Sequence, residues 1–214
     1  MMSGVVASST NTLSASSMIA TAARTAVAER LPLVAVMASS GADLREGFSA
    51  LHGWGLAAKA LTDCSGLVPT IIIVDGPAVS GPALLLGIAD HVIMTEQAYA
   101  FVSGPNMVTE FTGVAIDNEE LGGAGAHARF TGAATVVTTD LESAIAAAEL
   151  PGLLQSALAG AGPAARVFLD SELASPGLPL LPAILVVAGT TGAGKSGCRS
   201  EEHTSELQSH SGIS

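Results

Sequence analysis

The hydrophobic pattern of the chain switches repeatedly between a helical and a strand-like period. Residues 14–30 are small and apolar, and Met18, Ile19, Ala22, Ala26 and Val27 fall on one helical face. Residues 32–37 form an apolar run too short for a helix, which predicts a buried strand. A polar turn at 38–42 leads into a helix expected over 44–61. Residues 69–74, β-branched and uncharged, give the clearest strand signal in the chain. The triplet Asp75-Gly76-Pro77 predicts a turn, and 79–88 a helix. Short strands are expected at 91–95, 99–102 and 135–138, and short helices at 105–111 and 118–121. Asp140 is placed to cap a helix over 141–150. Strands alternating with helices imply parallel βαβ units and an α/β fold. Residues 151–183 are mostly Ala, Gly, Pro and Leu without a period, which predicts an irregular tail.

Composition narrows this picture. The chain has 214 residues, enough for one domain and part of a second. With 49 % hydrophobic and 13 % charged residues, disorder is excluded for most of it. Eight Lys and Arg against nineteen Asp and Glu, with 3 % aromatics, argue against a nucleic-acid partner. A mean hydropathy of +0.52 raises the question of a membrane. The long charge-free stretches do not support one. Residues 1–23 are rich in Ser and Thr, and 173–194 carry three prolines and four glycines. No basic segment with an apolar core opens the chain, so no secretory signal is expected. Cys64 and Cys198 lack metal spacing and form no framework. A reduced, cytoplasmic protein without a metal or a membrane contact is the expectation.

Two C-terminal segments stand apart. Residues 189–196 satisfy the G-x4-G-K-S phosphate-loop pattern and follow an apolar run at 183–188. Only eighteen residues follow, too few for the further strands and metal-binding Asp of a nucleotide hydrolase. A plain Gly-rich segment is therefore favoured over a nucleotide site. Residues 199–214 resemble the conceptual translation of a sequencing adapter and are set aside, His203 and His210 with them.

Side-chain chemistry is sparse. Glu119 and Glu120 are adjacent on a helix and do not converge. No His/Cys cluster and no G-x-S-x-G elbow is present, and His52, His91 and His127 lie far apart. What remains is two Gly-rich strand-to-helix junctions, 38–47 and 75–82. Backbone N–H groups at such junctions point outward at the positive end of the helix dipole. They can bind a developing oxyanion, or they can be ordinary turns of an α/β protein.

Residues carrying a family resemblance run through the same region. Pro69-Thr-Ile-Ile-Ile-Val-Asp-Gly-Pro-Ala-Val-Ser-Gly-Pro-Ala-Leu-Leu-Leu-Gly-Ile-Ala-Asp90, followed by Val92-Ile-Met94, looks like the signature of the crotonase superfamily. Phe101-Val-Ser-Gly-Pro-Asn-Met-Val108, Thr112-Gly113, Glu119-Glu-Leu-Gly-Gly-Ala124, His127 and Gly132 resemble the carboxyltransferase β subunit of biotin-dependent acyl-CoA carboxylases. Leu31-Pro-Leu-Val34, Ser39-Ser-Gly-Ala42 and Glu46-Gly47 match the same family, so the resemblance covers about 4–150.

The resemblance implies a crotonase-like ββα superhelix and carboxyl transfer from carboxybiotin to the α-carbon of an acyl-CoA. Acetyl- or propionyl-CoA is the expected substrate. Biotin would ride on a separate carrier domain, with a biotin carboxylase and its carrier as partners and a homo-oligomer as the assembly. Backbone N–H groups of Ser80 and Gly81 are the implied oxyanion donors. Ser40, Gly41, Ala42, Gly76, Gly104, Pro105, Gly122 and Gly123 are the implied substrate-binding positions. The organisation expected is a partial acyl-CoA-binding domain at 1–155, a linker or foreign segment at 156–198, and the adapter-like 199–214. A second crotonase-like domain, which completes the site in this family, is not expected here, so the chain alone is expected not to turn over.

Departures from the family are specific. Ser80-Gly81 stands where the family usually has Gly-Gly, and Asp43 where it commonly has Arg. Pro82 cannot donate a hydrogen bond. Arg45 and Lys59 are the nearest cations left for CoA phosphates. Rival readings are an acyl-CoA decarboxylase or enoyl-CoA hydratase, a phosphate-loop nucleotide binder at 189–196, and a truncated product without function.

Overall fold

Uninterrupted apolar strands need cover on both faces, and the chain supplies it with helices on either side of one parallel sheet. The structure, a computed structural model of the chain, describes residues 5–7, 12–149, 166–170 and 184–189. Its elements in order are β1 (Val5–Ala7), α1 (Thr12–Glu29), β2 (Leu33–Ser39), α2 (Phe48–Cys64), β3 (Thr70–Val79), α3 (Gly81–Leu85), β4 (His91–Thr95) and β5 (Tyr99–Phe101). They continue with α4 (Pro105–Thr112), α5 (Asn118–Gly122), α6 (Ala124–Ala126), β6 (Val136–Thr138), α7 (Leu141–Glu149), β7 (Arg166–Asp170) and β8 (Ile184–Gly189). The sheet runs β1-β7-β8-β2-β3-β4-β6, with β5 paired to the end of β3, and every strand pair is parallel.

Alternate residues of each central strand enter different layers. Leu33, Ala35 and Met37 of β2, with Ile72 and Val74 of β3, pack under α1 and α2 against Ile19, Ala22, Ala26, Ala57 and Leu61. Val34, Val36, Ile71, Ile73 and Ile93 face the opposite way, onto Ala144, Ile145 and Ala148 of α7. The small residues of α1 let it lie close to its neighbours: Ala22, Ala23 and Ala26 are fully buried. Its C-terminus closes with Leu31 N donating to Ala26 O at 2.9 Å and Arg30 N to Val27 O at 3.3 Å. Arg30 takes the left-handed conformation this closure needs, φ 56°. At the start of α7 the Asp140 carboxylate accepts from Ser143 N at 2.7 Å, and that bond holds its carboxyl below the usual range. Cys64 is wholly buried. Burial, with Asp63 and Asp90 adding to it, pushes its thiol up to about 11.

Three expectations are corrected. Asp75-Gly76-Pro77 is not a turn: β3 continues to Val79, because Pro77, Ala78 and Val79 pair with Tyr99, Ala100 and Phe101. The triplet is absorbed as an irregularity in the β2–β3 ladder, where Met37 pairs with Val74 but Ser39 with Ala78. The helix expected from 44 begins instead with a 3-10 turn, Leu44–Glu46, before α2. The segment 151–183, read as irregular, contributes Arg166–Asp170 as a parallel strand, and the apolar run after it forms β8, lying against β2 throughout.

Candidate functional site

The two Gly-rich junctions meet. They leave the C-terminal ends of neighbouring strands β2 and β3, where ligand sites of open α/β sheets lie. A Cβ on Gly41 would lie 3.6 Å from Val79 O, and one on Gly76 would lie 3.6 Å from the Ala38 Cβ. Beside them opens a cavity of about 340 Å³. Its walls are mostly apolar and include Ile19, Met37, Leu51, Trp54, Leu85 and Val102, with Ala42, Asp43, Ser80 and Gly81 at the junctions. That volume suits a small ligand.

Ser80 shapes the second junction. It takes φ 64° and ψ −125°, the caps of α2 and α3 sharing this geometry, since Gly47 has φ 53° and ψ −126°. Serine is strained there where glycine would not be. Replacing Ser80 by glycine relieves roughly 1–3 kcal/mol of strain. It also frees the unfolded chain by roughly 0.5–1 kcal/mol. Ser80→Gly is therefore expected to gain about 1 kcal/mol, seen in calorimetry as a melting temperature about 2–4 °C higher.

The donors differ from the expectation at one atom. Ser80 N–H is not open to a ligand: it donates to Phe101 O at 2.9 Å, extending the β3–β5 ladder by one bond. Gly81 N–H bonds to no acceptor among the described residues, and Ala42 N–H likewise. Gly41 N–H is drawn back to the Ser39 hydroxyl at 3.4 Å. Ala42, Ser80 and Gly81 line the cavity, and Ser40, Gly41 and Gly76 belong to the two junctions beside it.

Gly104, Pro105, Gly122 and Gly123 are not brought to the cavity. Gly104 and Pro105 open α4. Gly122 and Gly123 sit in a packing seam between α5 and β5, where a Cβ on Gly122 would lie 2.1 Å from Ala100 O. His127 braces that seam, its Nε2 donating to Ala100 O at 2.7 Å.

Charge at the rim is already matched. Arg45 makes a bidentate contact with Asp43, Nη2 to Oδ2 at 2.6 Å and Nε to Oδ1 at 2.9 Å, which holds the Asp43 carboxyl below its usual range. Lys59 pairs with Asp63 at 2.5 Å. Both cations expected near CoA phosphates thus carry a carboxylate partner. Glu119 and Glu120 are exposed in the first turn of α5, capped by Asp117, and neither lines the cavity. Among the described residues the cavity wall carries no facing carboxylate pair of the kind a hydratase needs. Among the described residues no group of His, Cys, Asp and Glu could hold a metal ion, and no helix is long and apolar enough to cross a membrane. Of the phosphate-loop pattern only Gly189, the end of β8, lies within the described residues.

Sequence reasoning missed Trp54. Its indole Nε1 donates to Gly81 O at 2.8 Å, across 27 positions of sequence, and no local motif announces that contact.

Comparison with known proteins agrees with this architecture. The propionyl-CoA carboxylase beta chain of Rhodococcus erythropolis is 39 % identical over 121 residues, 56 % of this chain and 25 % of that protein. The methylmalonyl-CoA carboxyltransferase 12S subunit of Propionibacterium freudenreichii subsp. shermanii is 37 % identical over 106 residues, 50 % of this chain and 20 % of that one. The chain thus spans about a quarter or less of these curated relatives. Among solved structures, transcarboxylase 12S with methylmalonyl-coenzyme A and methylmalonic acid bound superposes with a TM-score of 0.62. That match has 32 % identity and covers 66 % of this chain and 28 % of the other. The geranyl-CoA carboxylase beta subunit of P. aeruginosa shares the fold, with a TM-score of 0.51 at 23 % identity. The carboxyl transferase domain model matches residues 3–151, and the chain belongs to that carboxyltransferase family, with its crotonase-like α/β fold.

Proposed function

We propose that this chain supplies the acyl-CoA-binding face of a biotin-dependent carboxyltransferase. The observation that carries the reading is the mostly apolar cavity where the two junctions meet, with the Gly81 N–H bonded to no described acceptor. An acyl chain and the adjoining thioether arm of CoA match such walls. The thioester carbonyl is placed on Gly81 N–H, with Ala42 N–H as the second donor. Negative charge grows on that oxygen when the α-carbon is activated, and a fixed N–H there stabilises the transition state more than the ground state. One such donor contributes roughly 2.7–4 kcal/mol in acyl-transfer enzymes.

Carboxybiotin would enter as a co-substrate delivered by a carrier. No residue of the chain is assigned to biotin. Partners in this reading are a biotin carboxylase with its carrier, and further copies of the subunit. The reading also places the protein in the cytoplasm.

Titration calorimetry of the chain with acetyl-CoA and propionyl-CoA tests the proposal. Saturable binding at one site per chain is expected. A folded chain that binds neither thioester would refute it.

A further inference from the structure

We propose that Trp54 is a positioning residue, holding the Ser80–Gly81 turn so that the Gly81 N–H meets the thioester carbonyl. The inference rests on the acyl-CoA reading above. Glycine has no side chain to restrict its own torsions. The α3 segment it opens is only five residues long and follows a strained Ser80, so local structure does not hold the turn by itself. Trp54 restrains it twice. The indole edge lies so close to Gly81 that a Cβ there would sit 2.8 Å from Cδ1 and 3.0 Å from Nε1. The indole N–H donates to the Gly81 carbonyl at 2.8 Å, and indole nitrogen can only donate, so the direction of that bond is fixed.

Trp54 in turn is anchored. It lies in the middle of the long helix α2, and its half-buried ring packs against the main core cluster. Its ring also lines the same cavity as Ser80 and Gly81. The contact therefore joins the cavity wall to the turn that supplies the first donor in this reading. Trp54 itself touches no reacting atom; it acts through Gly81.

The test compares acetyl-CoA with S-ethyl-CoA, a thioether without the carbonyl, against the whole chain. Wild type is expected to prefer the thioester by about fivefold, the worth of one hydrogen bond. In Trp54→Phe, which keeps a ring but loses the N–H, that preference is expected to fall to about one while S-ethyl-CoA still binds. A folded Trp54→Phe with the wild-type preference overturns the proposal, as does a wild type that binds both compounds equally. Should the variant not fold, wild type alone decides the matter. The chain has one Trp, so its indole N–H gives a single nuclear magnetic resonance signal. That signal is expected to shift more with acetyl-CoA than with S-ethyl-CoA, and equal shifts overturn the proposal. Failure of wild type to bind either compound overturns the acyl-CoA reading and this one with it. Binding without the carbonyl preference overturns this one alone.

Discussion

Gly122→Ala is expected to be the most damaging single-methyl addition in the described chain. The new Cβ would stand 2.1 Å from Ala100 O and 3.0 Å from Ala100 C, and both are backbone atoms that cannot swing aside. The same carbonyl accepts the His127 Nε2–H at 2.7 Å, so moving it also costs the brace on the 127–131 turn. Tyr99 bridges to Gly123, and Ala124 N donates to Ala98 O at 3.1 Å, so α5 has no freedom to lift away without losing these bonds. Ordinary overpacking costs roughly 1–3 kcal/mol; this backbone collision is expected at about 3 kcal/mol or more. The melting temperature should drop by about 6–12 °C in calorimetry. A variant melting with wild type would show that α5 is not seated on β5 as described.

Gly81→Ala is expected to strike the site rather than the fold. Its Cβ would meet the indole at 2.8 Å, so the ring must rotate and give up the bond to Gly81 O. The obstacle is a side chain, and α2 can remain in place. Acetyl-CoA affinity is expected to fall by about tenfold or more, about 1.4 kcal/mol, in titration calorimetry. Unchanged affinity in Gly81→Ala would remove Gly81 from the site.

Where local chemistry and tertiary environment agree, the sequence already shows the element. Residues 69–74 read as a strand because Thr, Ile and Val suit a strand buried on both faces, and all of Thr70 to Val74 are buried. The next five residues do not. Asp, Gly and Pro are turn formers, and the distant partners Tyr99–Phe101, with Ser39 opposite Ala78, keep Pro77 to Val79 in the sheet. Each junction was legible as a strand-to-helix turn; that the two meet follows from the β2–β3 pairing, which the sequence does not show. Which N–H stays open was not, because the Phe101 carbonyl that occupies Ser80 N–H comes from another strand. Trp54 was invisible for the same reason. Gly122 and Gly123 were legible as a family motif, yet their described surroundings are a packing seam, which a residue string does not distinguish from a binding loop.

The two neighbours of β2 are made at very different times. Leu33 pairs with Thr70 on one side and Ile184 on the other. At about 5–20 residues per second, a ribosome takes roughly 8–30 s between finishing β2 and finishing β8. Through that interval one side of an apolar strand has nascent backbone donors and acceptors without their eventual partner. Such an edge invites strands from other chains. The same parallel order that shapes the cavity therefore makes newly synthesised molecules most vulnerable to one another, and crowded polysomes are where that hazard concentrates.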